Sequence, residues 1–201
     1  MVPMPVRVKF IKVEELQFIS HLDLGRTMKS VMIRAGIPVH YTEGFNPHPK
    51  IVFALPLSVG AESVCEYMDF RTDREMDYRE IRDRLNAALP PQLRVLDAYE
   101  PVDEVSKILF AEYRITSDFP VDFSPLTSET IIVPKRTKKG YVDTDIKPMI
   151  KKYSTDGNSI TAVLSANPGE FLNPEYIAGV LRLTDYTILR TRVFTSGGEF
   201  R

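Results

Sequence analysis

The chain has 201 residues, 43% of them hydrophobic, and 26 basic against 27 acidic side chains. This length suits one large or two small domains able to bury a core without disulfides or a structural metal. A net charge of −1 excludes a whole-surface nucleic-acid binder, though not a local basic groove, and the single cysteine, Cys65, excludes an intramolecular disulfide or a cluster ligated by this chain alone.

In chain order, Val6, Val8 and Phe10 alternate with Arg7 and Lys9, which is strand period. Ser20 with Asp23 three residues on is a capping-box relation, opening a helix that runs to the stop signal Gly36-Ile37-Pro38. Its apolar face is Leu24, Met28, Val31, Met32 and Ala35. An extended piece from Pro38 to Tyr41, a Gly/Asn/Pro loop from Thr42 to Lys50 and an apolar run from Ile51 to Leu57 follow. Glu62 to Thr72 reads as a strand, and Asp77 with Glu80 caps a helix carrying Tyr78, Ile81, Leu85 and Ala88 that ends at Pro90-Pro91. Gln92 to Glu100 returns as a strand, completing β-α-β-β-α-β.

A weaker pass of the same kind follows. Strands are expected over Ile108 to Thr116, Ile131 to Pro134, Tyr141 to Tyr153, Ser159 to Ser165 and Tyr186 to Phe194. The polar stretch Phe119 to Thr130 stands where the repeat would place a helix, and Asn173-Pro174 opens a later one. The expected fold is therefore α+β, with two ferredoxin-like βαββαβ halves, the second degenerate, over residues 1–101 and 108–195. One mixed domain with a long C-terminal extension is the alternative, and Thr195 to Arg201 is expected to fray. No run reaches ~18 apolar residues, so no membrane helix is expected. The start holds no apolar stretch of signal length, which points to a cytoplasmic protein.

The densest polar grouping joins His21, Asp23 and Arg26 with Tyr41, Asn46, His48 and Lys50. His21 falls in the first helical turn, where unpaired N–H groups and the positive end of the helix dipole welcome an anion. Pro47 and Pro49 stiffen the later loop, so less ordering entropy is lost when Asn46, His48 and Lys50 engage a ligand. Each feature also has a purely structural reading: Asp23 as a capping residue, His21 packed at the edge of the apolar face, the loop as a tight connection. Lys135, Arg136, Lys138 and Lys139, with Lys147, Lys151 and Lys152 beyond, form a basic patch with Tyr141 and Tyr153 among them. It suits phosphates and bases, or simply solubilises a hairpin. His21, His40 and His48 have no metal-ligand spacing, and Walker, GxGxxG and GxSxG motifs are absent, so no metal or cofactor is expected in this chain.

Phe18-Ile19-Ser20-His21-Leu22-Asp23-Leu24, Arg34-Ala35-Gly36-Ile37-Pro38, Gly44-Phe45-Asn46-Pro47-His48-Pro49-Lys50 and Ala54-Leu55-Pro56-Leu57-Ser58-Val59-Gly60 together resemble the uncharacterised radical SAM-linked protein family. Domains of that family occur fused behind, or encoded beside, B12-binding-type radical SAM proteins. The likeness is dense from Val6 to Asp69, thinner to Arg94 and weak beyond. It implies a radical SAM partner that carries the iron–sulfur cluster and SAM. A more distant, fold-level similarity is to the RNA-processing proteins of CRISPR repeats, which combine βαββαβ halves.

Three functions are expected from these features. The first is a non-catalytic RNA- or polar-substrate-binding accessory module that works with a separate radical SAM enzyme. The second is a metal-independent endoribonuclease with His21 or His48 as general base or acid, since an imidazole titrates near neutral pH. The third is a protein-interaction adaptor that docks through the loop and the Ile51 to Leu57 run.

Overall fold

The alternation at the start of the chain builds β1 (Met4–Lys12), in which Val6, Val8 and Phe10 are fully buried. The structure, a computed structural model, describes residues 3–137 and 140–201; Lys138 and Lys139 of the basic run lie outside the described residues. The protein is mixed α+β, dominated by strands, with three α-helices among the described residues. The chain divides into two units, Met1–Val105 with Arg201, and Ser106–Phe200.

In the first unit, Ser20 caps α1 (His21–Arg34): its Oγ accepts from the Asp23 amide at 3.1 Å and donates to the Asp23 carboxylate at 2.7 Å. Gly36 ends the helix with φ +63°, a left-handed conformation that glycine adopts without strain. The expected face is the observed one: Leu24, Met28, Val31 and Met32 are buried, each burial contributing roughly 1.5–3 kcal/mol. Only Val52–Phe53 of the apolar run forms a strand, β2; β3 spans Ala61–Thr72, α2 Tyr78–Ala88 and β4 Val95–Tyr99. Asp77 caps α2 by accepting from the amides of Arg79 and Glu80. The strands pair antiparallel in the order β4-β1-β3-β2. Both helices pack on the sheet face carrying Val6, Val8, Phe10, Met68 and Phe70, where Ile81 and Leu85 complete the core.

The second unit repeats that strand order with different material. It contains β5 (Phe110–Ser117), β6 (Ile132–Thr137), β7 (Gly140–Asp145), β8 (Ile150–Asp156), β9 (Ser159–Ser165), α3 (Glu175–Val180), β10 (Tyr186–Thr195) and β11 (Gly198–Glu199). The main sheet runs β10-β5-β9-β8, all antiparallel, with β11 beside β10 and a separate β6–β7 hairpin. Where the first unit has its long helix, the described residues of the second form a 3-10 turn at Ser124–Thr127 and the hairpin. The stretch expected as one strand from Tyr141 to Tyr153 is broken by a 3-10 turn at Lys147–Met149, where Pro148 lacks the N–H a ladder needs.

The expected frayed tail is corrected. Phe200 is fully buried, its amide donating to the Val193 carbonyl at 2.9 Å, and the Arg201 carbonyl accepts from the amides of Val102 and Asp103. A buried phenyl ring outweighs the backbone entropy that loosens most chain ends.

Candidate functional site

Opposite its helices, the first unit's sheet presents a polar face. Arg7 stands directly across from Asp69 on β3 and Tyr99 on β4. It is 1% exposed, and its Nε and Nη2 each donate to an Asp69 carboxylate oxygen at 2.7 Å. This fork-to-fork geometry holds the guanidinium rigidly while burying it. Burial pushes the Tyr99 phenol up to about 12 against the opposing pull of the Arg7 and Arg201 guanidiniums.

A cavity of about 400 Å³ opens on this face. Arg7, Asp69, Arg71, His40, Lys50 and Val52 line it, and the segment Pro101–Val105 forms its rim. His40 is fixed twice: its amide donates to the Arg71 carbonyl at 2.8 Å, and its Nδ1 lies 2.7 Å from Asp73 Oδ1. The carboxylate only accepts, so Nδ1 carries a proton and Nε2 is left for other partners. Two of the acidic groups at the cavity are already engaged, Asp69 by Arg7 and Asp103 by the Arg201 amide at 2.9 Å. Lys50 and Arg71 remain exposed. With Glu104 counted, three carboxylates stand against three full cations at the cavity, and the exposed Lys50 and Arg71 are the donors it offers to an anionic group.

The residues anticipated from sequence disperse around this cavity. Lys50 lines it, and Tyr41 meets Lys50 and His40 in a shallower pocket beside it. His48 is exposed in the loop, its Nδ1 3.1 Å from the Asn46 carbonyl and 3.2 Å from Thr42 Oγ1. A carbonyl accepts only, so this histidine too is held by Nδ1–H with Nε2 turned outward. The Asn46 side chain is exposed. His21 sits elsewhere, edge-on against Phe53 with ring centroids 5.0 Å apart. Phe53 pairs with Met68 on the helix-bearing face, whereas Val52 pairs with Asp69 on the cavity face. His21 and Lys50 therefore flank opposite sides of β2. Asp23 and Arg26 pair with each other at 3.0 Å, and the bonds from Ser20 and Arg26 hold the Asp23 carboxyl below the usual carboxylate range.

Arg7, Arg71 and His40 are the cavity residues that sequence reasoning passed over. A partner across a sheet leaves no local signal, and alternation shows only that Arg7 and Lys9 face away from Val6, Val8 and Phe10.

In the second unit the basic patch is partly absorbed by structure. Lys135 and Arg136 lie on β6 opposite Val142 and Tyr141, and the Arg136 amide donates to the Tyr176 hydroxyl at 3.0 Å. Lys147 Nζ donates to the Leu126 carbonyl, and Lys151 Nζ to that of Pro148. Among the described residues, no three His, Cys, Asp or Glu side chains converge to hold a metal ion, and Cys65 is buried.

A search of curated proteins finds no match to the chain. A family model described as uncharacterised protein conserved in bacteria matches residues 6–174, a span that takes in β1, both helices of the first unit, the cavity strands and most of the second unit. On that match the chain belongs to this conserved bacterial family, DUF2344.

Proposed function

We propose that the protein is a binding module, without chemistry of its own, that holds a polar, phosphate-bearing ligand, RNA or a smaller substrate, for a separately encoded radical SAM enzyme. The observation that carries this reading is the cavity in which a buried, carboxylate-locked Arg7 is joined by exposed Lys50 and Arg71 and by His40, whose Nδ1 is held by Asp73. Charge-assisted donors on rigid strands recognise phosphate at little entropic cost. A chain with one buried cysteine cannot ligate an iron–sulfur cluster, so radical chemistry would come from the partner. The likeness of the 18–60 segments to radical SAM-linked proteins supports the choice of partner. The common strand orders, β4-β1-β3-β2 and β10-β5-β9-β8, support reading both units as ferredoxin-like, the second with its first helix replaced by a hairpin.

The test is an NMR titration of the full chain with inorganic phosphate and with a 5′-phosphorylated ribonucleotide at low salt. Saturable shifts are expected at His40, Lys50 and Arg71. Replacing Lys50 and Arg71 together by Ala should weaken binding about tenfold or more at an unchanged melting temperature, since charge-assisted bonds to exposed groups are lost and no core is touched. Absence of saturation, or a double variant that binds as well as wild type, rejects the reading.

One observation favours a second reading. With Nδ1 tied to the Asn46 carbonyl, His48 presents Nε2 to solvent as a general base or acid, with His21 the other candidate. This reading requires metal-free RNA cleavage that His48→Ala or His21→Ala abolishes.

A further inference from the structure

The second unit has a bare sheet face that the cavity reading does not use. Ala111, Tyr113, Ile115, Ile160, Ala162 and Leu164 point to one side of β5 and β9 and are buried. Strand alternation sends Phe110, Glu112 and Arg114 to the other side, with Thr161 and Val163 beside them on β9 and Lys152 and Ser154 on β8. Phe110 and Phe194 stand directly opposite each other across the β5–β10 ladder, both half-buried. They border an open cleft of about 620 Å³ that also takes in Lys152, Thr161, Val163 and Arg192. The Arg192 guanidinium lies 5.8 Å from the Phe194 ring centre, and the Lys151 ammonium lies 5.8 Å from that of Phe110.

Two neighbouring phenyl rings, each with a cation near its ring centre, are poorly explained by packing alone. Half-buried aromatic side chains at these positions leave apolar area in water, and apart from Val163 the surrounding cleft residues are mostly charged or hydroxylated. The carboxylate in the cleft, Glu112, is neutralised by a two-point pairing with Arg192 at 2.9 and 3.1 Å and by the Thr191 hydroxyl at 2.7 Å. Arg192 is thereby held with its side chain still 53% exposed, while Arg114 and Lys152 are exposed on the same face. Cations flanking sheet aromatics match a backbone of phosphates that bears unpaired bases: rings stack the bases, and guanidinium and ammonium groups track the chain. Double-stranded RNA does not fit, because its bases are already stacked within the helix.

We infer that this face of the second unit is a single-stranded RNA platform, with Phe110 and Phe194 stacking adjacent bases and Arg114, Lys152 and Arg192 meeting the phosphates. It goes beyond the cavity reading and stands without it.

The experiment is a fluorescence-anisotropy titration of the full chain with a labelled ~12-nucleotide oligouridylate, a length within the span such platforms cover. Phe110→Leu and Phe194→Leu keep apolar bulk and fold but remove the stacking ring, and each should weaken binding ~5-fold or more. Phe110→Tyr and Phe194→Tyr retain the ring and should bind as wild type does. Affinity should fall steeply as salt rises. Lys29→Ala, on α1 of the other unit and outside both the cavity and this face, should leave oligonucleotide affinity unchanged. The inference is overturned by wild-type affinity in the leucine variants, by equal binding of a duplex, or by no binding at low salt. Oligonucleotide binding lost only in the Lys50 and Arg71 variant would place RNA at the cavity, overturning the platform while leaving the proposed function standing.

Discussion

Replacing Asp69 by Asn probes the electrostatic core of the cavity with almost no change in shape. The substitution removes the charge that faces Arg7 across the β1–β3 ladder and one of the two acceptors at 2.7 Å. Arg7 is 1% exposed, so its guanidinium cannot recover by turning to solvent, whereas Asp69 keeps 24% of its side chain in contact with water. Breaking a buried pair costs ~3–5 kcal/mol, and the residual hydration of Asp69 places the expectation at about 3 kcal/mol. For a unit of this size such a loss lowers the melting temperature by roughly 10–20 °C. Hydrogen exchange resolved by segment is the appropriate assay, because two units need not unfold as one. Protection should fall in β1 and β3 and stay unchanged in β5 and β9. The double variant Arg7→Met with Asp69→Leu should regain most of the loss, since no charge is then left buried. Loss below about 1 kcal/mol, or a double variant no more stable than Asp69→Asn, would refute the argument that the pair's value lies in mutual neutralisation.

Two further outcomes test other parts of the molecule. Phe200→Ala removes a ring that is fully buried at the second unit's sheet and should cost ~3–5 kcal/mol in urea unfolding, where a frayed tail would lose nothing. The phenols of Tyr99 and Tyr186 are both raised to about 12, Tyr99 by burial and Tyr186 by its hydrogen bond to the Glu175 carboxylate. Because the folded state disfavours phenolate, their contribution is intact below about pH 10, the unfolded value, and is lost as pH rises towards 12. A spectrophotometric titration should show two tyrosines ionising late, and Glu175→Gln should bring one of them forward.

Helices and strands were readable wherever a local pattern decides them. The Ser20–Asp23 and Asp77–Glu80 caps, the Gly36 stop and the period-2 run at Val6, Val8 and Phe10 all act within a few residues, and the structure follows them closely. Local patterns failed where the chain breaks its own rhythm. The bulge between Phe10 and Lys12 turns Lys12 inward, 2% exposed, where its ammonium donates to the Leu16 and Gln17 carbonyls. Alternation alone does not foresee that reversal. The basic run misled differently: Lys147 and Lys151 look like ligand-seeking charges in sequence, yet both bind carbonyls of nearby turns.

The candidate site was legible only at its edge. Lys50 and Tyr41 were singled out by the loop that carries them, while Arg7, His40, Arg71 and Asp69 were not. The amino-acid order by itself determined the two helices of the first unit with their limits and apolar faces, the strand rhythm of β1 and the incapacity for cluster ligation, because propensity, capping and ligand count depend on short-range chemistry or on composition alone. Which charges meet, and on which side of a sheet, was decided only by tertiary pairing. Arg7 and Asp69 are 62 positions apart in the chain, and the register that sets them face to face is chosen by burial of the opposite, apolar face, so the polar site follows from where the core must lie.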